Sequence, residues 1–329
     1  MNPLLISNSE IQTWKDCRRK WWLTYYRQLR LKSFEHTGPR MLGGRIHYAL
    51  SEMYENGRNP VDVVIETYES DIADIDRTKP GALAIETDMR KEADLAKAML
   101  EGYVEWVADN AMDSGIEIVA VERAVVVEAP GFEDVYLKGK LDARVVRKVD
   151  NARLFLDHKT VADLATPRHT LPMDEQMKFY HLLEVLDAKM NHGVDQEQQW
   201  RTDGALYNML RKVKRTATAK PPFYERIEVR HNRTEIETMW YRVAAVLMDI
   251  IDARRRLDSG VSHHTVAFPR PSRDCTWKCD FFSICKMFDD GSNIDGLINE
   301  YYEEADPDER YGDDDKLQMK ALREKKGQS

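Results

Sequence analysis

This chain is short of cysteine, of net positive charge and of long apolar runs. Four of its 329 residues are cysteine, and no apolar stretch approaches the roughly 20 residues of a membrane-spanning helix. Met1 to Ser9 lacks the basic start and long apolar core of a signal peptide. The expected compartment is therefore the cytoplasm, where disulfides are rare. The formal charge of −8 argues against a generally basic nucleic-acid coat, though not against local phosphate contacts. Acid is concentrated between Glu303 and Asp315, and base in Arg18-Arg19-Lys20, Arg211-Lys212 with Lys214-Arg215, and Arg254-Arg255-Arg256. Most such basic clusters are solvated faces. With 42% hydrophobic residues the chain is globular, long enough for one elaborated domain or two modest ones, and free of internal repeats.

What is present centres on Val135 to Val161. Two alternating, β-branched runs, Val135 to Val149 and Leu154 to Val161, flank Asp150-Asn151, a pattern that predicts a β-hairpin. Strand alternation puts Phe155, Asp157 and Lys159 on one face, and Leu154, Leu156 and His158 on the other. Asp142 on the first strand joins Asp157 and Lys159. Paired carboxylates hold a hard divalent cation such as Mg²⁺ or Mn²⁺, and a nearby lysine orients or deprotonates water. The alternative is a wet face of an antiparallel sheet lined by these charges.

Elsewhere the chain alternates helical and strand patterns. Ser7-Asn-Ser-Glu10 has the form of a capping box, and apolar residues from Ile11 to Leu23 recur at helical spacing. Trp14, Trp21, Trp22, Tyr25 and Tyr26 are expected mostly in packing, with base stacking as the alternative use. Gly43-Gly44 suggests a turn, with His47 near the start of the helix that follows. Residues 61–112 read as mostly helical and 117–128 as a strand. Residues 174–190 read as a helix carrying Gln176 and Tyr180 one turn apart. Residues 204–210 suggest a strand, the segment through Pro221-Pro222 a loop, and Thr234 to Leu257 a long helix. From Asn293 onward the polar composition predicts a loosely ordered tail with a short helix near its end.

The cysteines form a one-plus-three pattern: Cys17, then Cys275, Cys279 and Cys285. Four thiolates suit one iron–sulfur cluster or one structural zinc. Zinc sites more often use two close pairs, so a structural iron–sulfur staple joining the two ends of the chain is the better fit.

In order, Cys17, His47, Gly139-x2-Asp142, Asp157-His-Lys159, Gln176-x3-Tyr180 and the C-terminal cysteine triplet resemble the PD-(D/E)XK nucleases of the RecB/AddB type. They are most similar to iron–sulfur exonucleases associated with CRISPR adaptation and to their phage-encoded relatives. The resemblance implies an α/β (mixed α+β) fold: a restriction-endonuclease-like central mixed sheet flanked by helices. To this it adds a helical insertion over about 48–113 and a four-cysteine iron–sulfur staple. It places the nuclease domain at 1–290 and a polar tail at 291–329. It also implies a metal site of His47, Asp142, Asp157 and the main-chain carbonyl of His158, with Lys159 positioning the attacking water. Gln176 and Tyr180 would support that site and contact DNA, and Cys17, Cys275, Cys279 and Cys285 would hold a 4Fe-4S cluster. Asp157 stands where glutamate is commoner, and Glu52 lies one residue further from His47 than the acid of many relatives. The implied activity is Mg²⁺- or Mn²⁺-dependent exonucleolytic hydrolysis of DNA in phage recombination, replication or repair, beside a single-strand annealing or recombination protein. The alternatives are a CRISPR spacer-processing nuclease and a non-catalytic iron–sulfur DNA-binding subunit.

Overall fold

The computed structural model describes residues 3–32, 36–192, 202–307, 309 and 314–327; Asp308 and Asp313 of the acidic run lie outside them. Strand β1 (Leu4–Ser7) leads into α1 (Asn8–Asp16). Ser7 caps that helix by accepting from the Glu10 N–H at 3.2 Å, the bond the capping-box pattern predicts. The single helix expected through Leu23 is interrupted at Cys17, which is extended (φ −160°), before α2 (Arg18–Trp21) and a π turn at Trp22–Tyr26. Strand β2 (Leu29–Leu31) and helices α3 (Pro39–Asn56), α4 (Pro60–Ala73) and α5 (Ala82–Asp109) follow. Then come β3 (Ile116–Glu128), β4 (Val135–Arg147), β5 (Ala152–Val161), α6 (Ala165–Thr170), α7 (Glu175–His192) and β6 (Gly204–Arg211). Strand β7 (Tyr224–Val229) falls where the sequence suggested only loop, and α8 (Arg233–Asp258) follows it. The remaining elements are α9 (His263–Val266), α10 (Cys275–Lys278), α11 (Phe282–Cys285), α12 (Ile294–Tyr301), β8 (Tyr302–Glu304) and α13 (Asp314–Gly327). None of the described helices is long and apolar enough to cross a membrane.

The architecture is α/β. A mixed sheet has the order β1-β4-β5-β6-β7 with β3 also paired to β4, and β2 and β8 form a separate two-stranded sheet. By compactness the chain divides into two units, one of Met1–Phe34, Val126–Gly139 and Arg233–Ser329, the other of Glu35–Val125 and Lys140–Asn232.

In the first unit, β1 runs parallel to the start of β4, from Leu4↔Val135 to Ser7↔Lys138. Trp14, Trp21, Trp22 and Tyr25 are buried, with Trp14 and Trp21 edge-to-face at 4.7 Å, so they are core residues rather than base-stacking ones. The tail is more structured than its polarity suggests. Its apolar residues Ile298 and Tyr302 are buried, and Tyr302 stacks on Phe281 at 5.3 Å. Further on, Asp315 forms a buried ion pair with Lys138 at 2.7 Å.

The second unit carries two apolar clusters. Leu42, Ile46, Leu50, Tyr68, Met99 and Tyr103 knit α3, α4 and α5 together and reach Leu210 of β6 and Tyr224 of β7. Ala143, Val145, Leu154, Leu156 and Leu206 form a second cluster across β4, β5 and β6, with Tyr54 against it. Fully burying a side chain of this size contributes about 1.5–3 kcal/mol. The two glycines do not make the expected turn: the chain enters α3 at Gly38 (φ +119°), with Pro39 in the first turn, and Gly43-Gly44 lies within the helix. A Cβ on Gly43 would stand 3.3 Å from Thr160 Oγ1. The missing side chain thus lets α3 lie close against β5, and His47 sits mid-helix, one turn beyond that contact.

Candidate active site

The site is built where β4 and β5 separate. Their antiparallel register runs from Arg147↔Ala152 to Ala143↔Leu156. One residue beyond it, the His158 main-chain N–H donates to Asp142 Oδ2 at 2.6 Å. A carboxylate thus takes up a main-chain donor at the fork of the hairpin, which fixes Asp142 beside Asp157. Helix α3 delivers the imidazole: His47 Nδ1 lies 3.2 Å from Asp142 Oδ1. From the same strand as Asp157, the Lys159 ammonium donates to Asp157 Oδ1 at 3.1 Å and makes an ion contact with Oδ2 at 2.8 Å.

Burial makes these charges interact strongly. Asp157 is only 3% exposed, and the Lys159 ammonium is the cation that faces both of its oxygens. Burial and the neighbouring Asp142 charge push Asp157 up to about 6, against the pull of Lys159. Burial opposes ionisation of Asp142 too, but His47, His158 and Lys159 hold it well below the usual carboxylate range. Burial would lower His47, yet the Asp142 carboxylate raises it overall. Lys159 is raised in spite of burial, chiefly by Asp157. His158 goes the other way: burial drives it down to about 3 and keeps the ring neutral.

Helix α7 lies on the Asp157 and Lys159 side of the strand. Gln176 Nε2 donates to the Tyr180 hydroxyl at 3.0 Å, Tyr180 packs edge-on against Phe155 at 6.2 Å, and it acts electrostatically on Lys159. Glu52 is turned away, accepting from Asn56 at 3.2 Å and from Arg58 at 3.3 Å.

Two further residues enter the site that sequence reasoning did not single out. Tyr207 stands in register with Asp157 across the parallel β5–β6 pair, and burial, with the Asp157 charge, pushes its hydroxyl up to about 12 against the opposing pull of Lys159. Glu122 sits in a left-handed kink of β3 (φ +50°), paired with Lys140 at 2.6 Å and close enough to feel both Asp142 and His47. Their only sequence signal is membership of alternating strands.

The donor set suits a divalent cation. Two carboxylates and an imidazole are hard-to-borderline ligands, and the buried Asp157 carboxylate already draws one cationic group, the Lys159 ammonium at 2.8 Å. As they stand, no three His, Cys, Asp or Glu side chains among the described residues converge closely enough to hold a metal ion. The donors are instead joined in pairs, His47 to Asp142 and Asp157 to Lys159.

All four cysteines belong to the first unit. All four are free thiols and half-buried. Cys17 and Cys285 act electrostatically on Cys279, whose thiol burial pushes up. Cys17 Sγ accepts the Arg270 N–H at 3.4 Å and Cys275 Sγ the Ser272 N–H at 3.3 Å.

A profile of the PD-(D/E)XK nuclease superfamily matches residues 5–286. The chain belongs to this nuclease superfamily. No curated protein matches it. Superfamily membership accounts for the mixed sheet with its flanking helices. It also implies nuclease activity, for which PD-(D/E)XK nucleases use divalent metals such as Mg²⁺ or Mn²⁺.

Proposed function

We propose that this nuclease is a Mg²⁺- or Mn²⁺-dependent exonuclease, acting on single strands or DNA ends in phage recombination, replication or repair. The observation that carries the proposal is the meeting of Asp142, Asp157, His47 and Lys159, two carboxylates, an imidazole and an ammonium, with Asp157 almost fully buried. His47, Asp142, Asp157 and the main-chain carbonyl of His158 hold the cation. When bound, it supplies Lewis-acid polarisation of a phosphoryl oxygen and a more acidic water. Lys159 orients that water and offers its positive charge to the developing negative charge. Gln176 steadies Tyr180 beside Lys159, and the pair faces the DNA backbone.

Cys17, Cys275, Cys279 and Cys285 are proposed to hold a 4Fe-4S cluster with a structural role. The mutual influence of three of these sulfurs and the backbone N–H groups aimed at two of them support this. Thiolates are the ligands such clusters take, and main-chain donors to sulfur stabilise them.

The test is digestion of end-labelled single- and double-stranded DNA with Mn²⁺ by the purified full chain, with visible absorbance recorded on the same sample. Stepwise shortening from an end, lost in Asp157→Ala and Lys159→Ala, is the expected outcome. Cleavage by either variant at the parent's rate would refute the active-site assignment. A colourless, iron-free preparation would remove the cluster while leaving the nuclease reading intact.

A further inference from the structure

We infer that Asn208 and Arg226 fix the His158 ring as the neutral tautomer with its proton on Nε2, and that this ring is a positioning wedge between the His47 helix and the metal-binding strand. The inference rests on the proposed metal site for its consequence, but not for its geometry.

The proton assignment follows from donors and acceptors. A guanidinium only donates, and Arg226 Nε–H lies 3.0 Å from one amide atom of Asn208, which must therefore be Oδ1. The other amide atom, Nδ2, donates to the Tyr103 hydroxyl at 3.1 Å and to His158 Nδ1 at 2.8 Å. Nδ1 of His158 is thus an acceptor without a proton, and the neutral ring carries its hydrogen on Nε2. A proton on Nδ1 would set two donors against each other inside the core.

Arg226 is itself held, so the amide is not free to flip. Its NH1 donates to Asp113 Oδ1 at 2.7 Å and to the Met112 carbonyl at 3.2 Å, and its NH2 donates to the Tyr103 hydroxyl at 3.0 Å. Strand pairing delivers Asn208 to the right place: it stands opposite His158 in the β5–β6 register.

The same ring touches helix α3 at two points. It stacks on Tyr54, with centroids 5.7 Å apart and planes 14° apart, and meets the edge of His47 at 6.0 Å and 86°. His47 and Tyr54 are seven residues apart, two helical turns, and so share one face of α3. The main-chain N–H of His158 meanwhile holds Asp142. One residue thereby sets both the helix that brings the imidazole and the carboxylate that receives it. A satisfied polar core would need only the hydrogen bonds; contact with both metal-site elements is what makes His158 a positioning residue.

Asn208→Asp separates positioning from mere packing. The aspartate is nearly isosteric, keeps an acceptor for Arg226 and for the Tyr103 hydroxyl, and can only accept from His158, so Nδ1 must carry the proton. The experiment uses the full chain labelled with ¹⁵N-histidine, long-range ¹⁵N–¹H spectra recorded without metal, and His158→Gln to identify the signal. Mn²⁺ titration and thermal melts in EDTA accompany it. The parent is expected to show His158 protonated on Nε2, and Asn208→Asp on Nδ1, with Mn²⁺ affinity lowered by about tenfold or more and a melt close to the parent's. A parent spectrum with the proton on Nδ1 overturns the inference, and this readout stands even if the variant fails to fold. Unchanged Mn²⁺ affinity in a folded Asn208→Asp overturns it as well. If Asp157→Ala binds Mn²⁺ as the parent does, the metal-site reading fails instead, and the tautomer remains decided separately.

Discussion

Replacing Asp157 by asparagine should destroy cleavage and yet stabilise the metal-free protein, and the stabilisation should depend on pH in a defined direction. The carboxyl rises from 3.8 to about 6 on folding, through burial and the nearby Asp142 charge. A carboxyl raised on folding contributes its full stability below its unfolded value and loses it as pH climbs through the folded value. Above pH 6 the parent therefore carries a penalty of about 3 kcal/mol, taking about 1.4 kcal/mol per unit. This figure already includes the attraction of Lys159, which contacts Asp157 at 2.8 Å. Asparagine keeps the shape and removes the charge. Denaturant melts in EDTA should show the two proteins nearly equal at pH 4 and the variant ahead by about 3 kcal/mol at pH 7.5. Mn²⁺ should close the gap from the parent's side, by about 2.7 kcal/mol at a hundred times its Kd, while leaving the variant unmoved. His158 also titrates with folding, but its shift comes chiefly from burial and so enters both proteins alike. A variant no more stable than the parent at pH 7.5 in EDTA, or a gap of the same size at pH 4, would refute the reasoning.

Two further outcomes test how the site is held. Gly43→Val places a branched side chain where Thr160 Oγ1 is already 3.3 Å from a bare Cβ; thermal melts should show a loss of about 1–3 kcal/mol, and Mn²⁺ titration a weaker site, because His47 lies one turn along the displaced helix. Glu122→Gln removes a negative charge that acts on Asp142 and His47 without removing a proposed ligand. Its Mn²⁺ affinity should fall by less than about tenfold, whereas losing a proposed ligand in Asp142→Asn should cost about a hundredfold or more; equal losses in the two would make Glu122 a ligand.

Asp157 and Lys159 were legible because strand alternation is local: two residues along the chain return to the same face whatever the strand pairs with. Pairing is not local. Which residue of β6 stands beside Asp157 depends on a register set by contacts about fifty positions apart, so Tyr207 and Asn208 carried no signal of their own. The same holds for β7, whose Tyr224 to Val229 run follows a basic, proline-containing loop and becomes a strand by pairing with β6. Gly43-Gly44 misled in the opposite sense. Glycine commonly marks a turn, and only the presence of Thr160 across the gap shows that here it marks close approach of helix to strand. His47 was read at the start of its helix, and for that reason lies in the middle of it instead. Cys17 interrupts a helix that its apolar periodicity predicts as continuous, and it does so in extended geometry with its sulfur accepting the Arg270 N–H from far along the chain. In each case the departure from local expectation falls at a residue bound to a partner distant in sequence. The polar core around Arg226 shows the same principle at greater length. Asp113, Tyr103, Asn208 and His158 come from four different elements or loops, and only their meeting assigns the position of one proton. Motif spacing therefore nominates candidate groups for the chemistry, while the long-range packing that orients those groups becomes visible only in the fold.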